Sequence, residues 1–215
     1  MKKWLSLLLA VLMIFTLVSC NLNNEDSEDD GDDDGDSKTV ELSRGTIEGD
    51  VYANNTIGIR FTKPDDWVYL SETEIAAAMN MGAEMILGKD YKDVLKNVPA
   101  VYDMMAKDLV TGSNISVGYE NLAKTFSSSI TETQYADALK VQLSQVPNMT
   151  VTFPDSYDQV TLGDTQFTRV VCTTVAYGKT MTQVYYLHKQ GGYMTYVIAT
   201  LVGDYTVAEF EAMIQ

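Results

Sequence analysis

The sequence predicts an α+β fold: a three-layer α/β/α sandwich around an antiparallel sheet, preceded by a signal peptide and an acidic linker. Helical patterns and strand patterns occupy separate stretches of the chain, as they do in α+β domains. The strand-rich C-terminal stretch is apolar on both of its alternating faces, so both faces need cover. The first 46 residues follow neither pattern. Of the 215 residues, 46 % are apolar, enough for one core and too many for wholesale disorder.

Met1-Lys2-Lys3 is a short basic start, and Trp4 to Val18 is an apolar run broken only by Ser6 and Thr16. A charged start, an apolar run and a small-residue exit describe a secretory signal. The run is shorter than the roughly 20 residues that span a bilayer. Leu17-Val18-Ser19-Cys20 resembles the lipobox of bacterial lipoproteins. That resemblance implies cleavage before Cys20, a diacylglycerol on its thiol and acylation of its new amine. The expected address is the extracytoplasmic face of the cell membrane, with the lipid on Cys20 as the membrane contact. Cys172 is then a lone thiol with no internal partner, and burial is its expected fate.

Residues 24–36 carry nine acids, no base and no large apolar side chain. Such a block repels itself and cannot bury enough surface to offset ordering, so it reads as an extended linker. Without it and the two lysines of the signal, residues 38–215 keep 13 bases and 21 acids, a net of −8 against −15 for the whole chain. Both values disfavour nucleic acid as a partner. Inside the strip, Asp30, Asp32, Asp34, Gly35 and Glu41 satisfy the calcium-loop pattern D-x-D-x-D-G-x5-E, with Asp36 beside them. No helix pattern precedes Asp30, and Ser37 stands where such loops place an apolar anchor. An Asp-rich strip also meets this pattern by composition alone. Calcium on Asp30, Asp32, Asp34, Asp36 and Glu41 is the one candidate cofactor; otherwise none is expected.

The chain thus divides into a signal peptide at 1–19, a lipid-anchored disordered acidic linker at 20–46 and a globular domain at 47–215. In the domain, Thr56–Thr62 alternates as a strand, residues 63–66 turn, and Trp67–Leu70 continues as a strand. Ser71 with Glu74 forms a capping box opening a helix through Ile75, Ala78, Met79, Gly82, Met85 and Ile86, ended by Gly88. Asp90–Leu109 has helical period through Tyr91, Leu95, Val98, Tyr102 and Met105, with Pro99 kinking or splitting it. Ser113–Glu120 reads as a strand. Thr131 with Gln134 caps a further helix that Pro147 stops, and Thr206 with Glu209 caps a short closing one.

Between these helices lies a meander: 149–153, 159–162, 166–177, 181–189 and 193–202. Gly191-Gly192 predicts a hairpin pairing Leu187 with Tyr196 and Tyr185 with Ile198. A second turn at Gly178-Lys179 would set Cys172 opposite Tyr185. One face then carries Val170, Cys172, Tyr185, Leu187, Tyr196 and Ile198; the other carries Phe167, Val171, Val184, Tyr186, Val197 and Leu201. In this register Arg169, His188 and Thr195 line up across three strands, a candidate anion or carboxylate site or else a polar rim.

Asn55, Gly58, Ile59, Phe61, Pro64 and Trp67 form the run N-x-x-G-I-x-F-x-x-P-x-x-W. It resembles the opening of PsbP-like domains, relatives of an extrinsic photosystem II subunit and of a Ran-binding nuclear import factor, which small Gram-positive lipoproteins also carry. The resemblance covers about residues 50–215 and implies an α/β/α sandwich with an antiparallel sheet. Its parts have plain structural jobs: Gly58 for close approach, Pro64 for a turn, Trp67 for the core. No residue matches a functional site of either relative, so no activity is implied.

The sequence contains no nucleophile elbow, P-loop, dinucleotide fingerprint or H-E-x-x-H motif. Two cysteines and one histidine exclude a disulfide scaffold and a His-built catalytic metal site. The expected function is a non-catalytic, surface-anchored lipoprotein that binds an envelope protein or small ligand or assists envelope assembly. Two other readings stand beside it: a structural or stress-related surface domain without a ligand, and a carboxylate-pair hydrolase of envelope material.

Overall fold

The computed structural model describes residues 42–82 and 85–215. The signal peptide, Cys20 and the calcium-loop pattern at Asp30–Glu41 lie outside the described residues. Leu42 is buried in the core and residues 43–45 are hydrogen-bonded into the domain, ahead of the boundary expected at 47.

Two antiparallel sheets form the frame. A three-stranded sheet joins β1 (Thr46–Glu48), β2 (Val51–Asn54) and β3 (Ile59–Thr62) in sequence order. The eight-stranded sheet holds β4 (Trp67–Tyr69), β5 (Ala100–Asp108), β6 (Asn114–Asn121), β7 (Met149–Thr152), β8 (Asp158–Leu162), β9 (Thr165–Ala176), β10 (Lys179–Gln190) and β11 (Tyr193–Leu201). Its order is β4-β5-β6-β11-β10-β9-β7, and β8 shares the outer edge of β9 with β7. The helices are α1 (Glu72–Ala78), α2 (Tyr91–Val94), α3 (Leu122–Thr125), α4 (Glu132–Ser144) and α5 (Val207–Glu211).

Local chemistry explains the boundaries. The capping boxes form at Ser71/Glu74, Thr131/Gln134 and Thr206/Glu209, so side chains satisfy backbone N–H groups that the first helical turns leave unpaired. Helix α1 is shorter than expected: it stops at Met79, and Asn80 adopts a left-handed φ of 53°. Met79 and Ile86 are still buried, so their spacing reported burial rather than one continuous helix.

Residues 100–108 correct the helix expected there; they form β5, between β4 and β6. A β-bulge between Tyr102 and Met104 adds one residue to the strand, so Tyr102 (opposite Gly118) and Met105 (opposite Ser116) share a face at a spacing of three. That spacing imitates a helical stripe. Burial on both sides also removes the polar alternation that marks a half-exposed strand.

The hairpin at Gly191-Gly192 pairs Leu187 with Tyr196 and Tyr185 with Ile198, as expected. The next turn lies one residue earlier than expected, at Tyr177-Gly178, where both φ values are positive (53° and 76°). This primed-turn geometry suits the twist of a hairpin. Cys172 consequently faces Gln183, not Tyr185. The shift is two residues, an even number, so every side chain keeps its assigned face.

Helix α4 packs on β7, β9 and β10, and its Tyr135 reaches Glu120 on β6. This is the face that carries Cys172, Tyr185 and Tyr196. The helical layer expected on the opposite face is slight there: α5 stacks Phe210 on Tyr186, α2 sets Tyr91 against Tyr119, and the three-stranded sheet adds further cover. The chain end runs along β3, with Arg60 and Gln215 exchanging backbone hydrogen bonds at 2.7 and 2.8 Å. Ile59, Phe61 and Trp67 of the N-x-x-G-I-x-F-x-x-P-x-x-W run are buried beneath it, and the Pro64 carbonyl accepts from Trp67 N–H to close the turn.

Beneath α4 the sheet depends on Gly118. A Cβ there would stand 2.4 Å from the Val101 carbonyl oxygen and 2.6 Å from the Tyr196 hydroxyl. The missing side chain lets Tyr196 lie over β6 and meet Tyr102 edge-on, with ring centroids 5.7 Å apart. Because the obstacle includes backbone, Gly118→Ala is expected to cost about 1–3 kcal/mol. A thermal melt would register this as a lower Tm; an unchanged Tm would show that the strand gives way freely.

Candidate functional site

The densest polar constellation among the described residues centres on Asp103, the bulged residue of β5. Its Oδ2 accepts from the Gly45 N–H at 2.8 Å, the Tyr52 hydroxyl at 2.5 Å and Asn54 Nδ2 at 2.8 Å. Its Oδ1 accepts from the Tyr91 hydroxyl at 2.8 Å. Asn54 also donates to the Tyr119 hydroxyl on β6, and the Arg44 guanidinium lies 4.5 Å above the Tyr91 ring. Burial, followed by the negative charge of Asp103, holds the Tyr52, Tyr91 and Tyr119 phenols protonated well above their usual range. A carboxylate so fully hydrogen-bonded is a structural knot rather than a base or ligand.

The aligned trio of the sequence reading is only partly brought together. His188 sits directly opposite Thr195, but Arg169 faces Tyr186 because of the register shift. Arg169 is held by two carboxylates, Glu211 at 2.9 Å and Asp158 at 3.0 Å, and Glu211 also accepts from the Tyr186 hydroxyl. A guanidinium already paired twice has little left to offer an anion. His188 places Nδ1 3.1 Å from the Gln166 carbonyl oxygen and its ring edge-on to Phe167. Thr195 is fully buried. Cys172 is buried too, and loss of solvation pushes its thiol up to about 12. Among the described residues, no group of three His, Cys, Asp or Glu side chains could hold a metal ion, and no helix is long and apolar enough to cross a membrane.

A cavity of about 370 Å³ opens between α4, the β7–β8 loop and the outer edge of the sheet. Thr133, Asp137 and Lys140 reach it from α4, a spacing of four and then three that puts them on one helix face. Asp155 and Tyr157 come from the loop and Gln159 from β8. Two internal hydrogen bonds fix the lining: Tyr157 donates to Asp137 Oδ1 at 2.7 Å, and Gln159 Nε2 to Thr168 Oγ1 at 2.8 Å. Partial burial and the Asp137 acceptor push the Tyr157 phenol up to about 12. The volume falls within the roughly 300–1,000 Å³ of small-molecule sites. The site is not legible in the sequence, because Asp137 and Lys140 resemble any solvated helix face; the one available signal is their shared face with Thr133. A second cavity of about 290 Å³, beside Thr111, Asp204 and Tyr205, includes Glu209, whose carboxylate is committed to the α5 capping box.

No protein-family model matches the chain, and no curated protein matches its sequence. Among solved structures, cyanobacterial PsbP (CyanoP) from Synechocystis sp. PCC 6803 aligns with 84 % of this chain and 97 % of its own, at 12 % identity and a TM-score of 0.46. LpqN, involved in cell envelope biogenesis of Mycobacterium tuberculosis, aligns over 72 % of this chain and 76 % of its own, at 16 % identity and a TM-score of 0.39. A Bacteroides thetaiotaomicron protein aligns over 74 % of this chain at 12 % identity and a TM-score of 0.39, and the alignment spans 44 % of that protein. No side-chain role is carried over from these three.

One buried acid makes the domain sensitive to pH. Glu120 on β6 is 2 % exposed, and desolvation raises its pKa despite hydrogen bonds from Thr125 and from the Tyr135 hydroxyl at 2.5 Å. The folded state therefore holds this proton to higher pH than the unfolded chain does. The Glu120 contribution is fully favourable below the unfolded-state value and is lost as pH rises through the folded one. Glu120→Gln, which resembles the protonated acid, is expected to gain stability relative to the parent at pH 8 and to lose that advantage near pH 4. Urea melts at both values would check this, and a difference independent of pH would contradict it.

Proposed function

We propose that this is a lipid-anchored extracytoplasmic protein whose PsbP-like domain binds a ligand or envelope partner and does no chemistry on it. The address rests on Leu17-Val18-Ser19-Cys20 directly after the apolar run, and the acidic strip that follows serves as the spacer. The domain assignment rests on the run from Asn55 to Trp67. The observation that carries the binding role is where the reactive groups go. The single histidine, the Cys172 thiol, the Asp103 and Glu120 carboxylates and the Arg169 guanidinium are each engaged in packing or internal hydrogen bonds. The cavity beside α4 instead turns several fixed polar groups toward solvent.

One observation favours a second reading. Asp137 and Asp155 line the same cavity, the minimum equipment of a carboxylate-pair hydrolase. Release of reducing ends from envelope glycan by the parent protein, and its loss in Asp155→Asn, would establish that reading over the first.

Anchoring is tested by fractionation. Cys20→Ala is expected to move the protein from the membrane pellet to the soluble extracytoplasmic fraction. A variant that still sediments with membranes would contradict the lipoprotein assignment.

A further inference from the structure

From the lining of the cavity beside α4, we infer that its ligand is a short saccharide, an inference resting on the reading of this cavity as a binding site. Eight of the nine lining residues carry a polar side-chain group, so an acyl chain or other apolar ligand would strand them unpaired. Asp137 and Asp155 outnumber Lys140, which disfavours phosphate, sulfate or a uronic acid. Two aspartates flanked by a lysine also make a poor cation cage, and no metal-holding trio exists among the described residues.

The remaining chemistry matches a polyhydroxylated ring. Sugar hydroxyls both donate and accept, so they can satisfy the carboxylates and the Gln159 carbonyl oxygen while accepting from Lys140. Tyr157 supplies a flat surface for the C–H face of a sugar. Its ring is already tethered through Asp137, and the Gln159 amide through Thr168, at 2.7 and 2.8 Å. Their orientations are set before the ligand arrives, which lowers the ordering cost of binding. Helix α4 gives the site a rigid wall: its capping box fixes its start, and Tyr135, Leu139 and Leu143 bury its opposite side against the sheet.

The test is a titration of the full-length protein with chitotriose, cellotriose and spermidine, followed by calorimetry and by amide shifts in 15N-labelled protein. The expected result is saturable binding of at least one trisaccharide, with shifts at residues 133–140 and 154–159, weakened about tenfold or more in Tyr157→Ala and in Gln159→Ala. Gln159 is exposed, and its substitution should leave the thermal melt unchanged; Tyr157 packs partly against the core, so the affinity of Tyr157→Ala is read at a temperature where its amide spectrum is still that of the folded domain. If spermidine shifts those amides and neither trisaccharide does, the cavity binds but the saccharide inference is overturned. If none of the three does, both the inference and the assignment of this cavity as the binding site fall. Equal trisaccharide affinity in parent and Tyr157→Ala would also overturn it.

Discussion

The Asp103 carboxylate gathers four donors from three separate parts of the chain, and much of the domain is positioned by that convergence. Gly45 belongs to the N-terminal approach, Tyr52 and Asn54 to the small sheet, and Tyr91 to α2, while Asp103 itself bulges out of the large sheet. Removing the acceptor would strand the buried Tyr52 and Tyr91 hydroxyls, while the Asn54 amide would keep the Ser43 carbonyl and the Tyr119 hydroxyl as acceptors. Leaving such groups unsatisfied costs about 1–3 kcal/mol each. The hydrophobic core presses the two sheets together without direction; the carboxylate supplies the direction. On the proposed anchoring, any pull on the tether reaches the domain through residues 42–45, where Ser43, Arg44 and Gly45 are each bonded to other elements.

The two faces of the large sheet serve different ends. The face under the small sheet is closed by the Asp103 knot, the chain end along β3 and the Arg169–Glu211 pair. The other face is closed by α4 over a tyrosine-rich layer that includes Tyr102, Tyr135 and Tyr196. Because α4 is buried on one side and exposed on the other, it can be rigid and still present Asp137 and Lys140 to solvent. The proposed binding surface thus sits on a wall whose position the core determines, and the loop carrying Asp155 and Tyr157 completes it.

Much of this was legible in the sequence where the signal was local. Ser71, Thr131 and Thr206 announced three helix starts, and Gly191-Gly192 announced a hairpin and its register. What failed was what depends on distant partners. The bulge at Asp103 gave β5 the spacing of a helix, and only pairing with β4 and β6 reveals it as a strand. The knot was invisible because its donors lie 12 to 58 residues from Asp103 along the chain. The cavity was invisible because Asp137 and Gln159 become neighbours only when α4 docks beside β8. Arg169 looked available until the fold brought Glu211 to it from 42 residues away.

Amide hydrogen exchange at Gly45 tests the central role of Asp103 most directly. Gly45 precedes the first strand and donates to the Asp103 carboxylate, so its protection reports that bond. If the knot organises the domain, the Gly45 amide exchanges nearly as slowly as Val197 in the middle of the sheet, and Asp103→Ala, which removes the acceptor, abolishes that protection. A Gly45 amide that exchanges as fast as exposed Gly49 in the parent protein would show that the N-terminal approach is not held there and that the Asp103 carboxylate does not organise the domain.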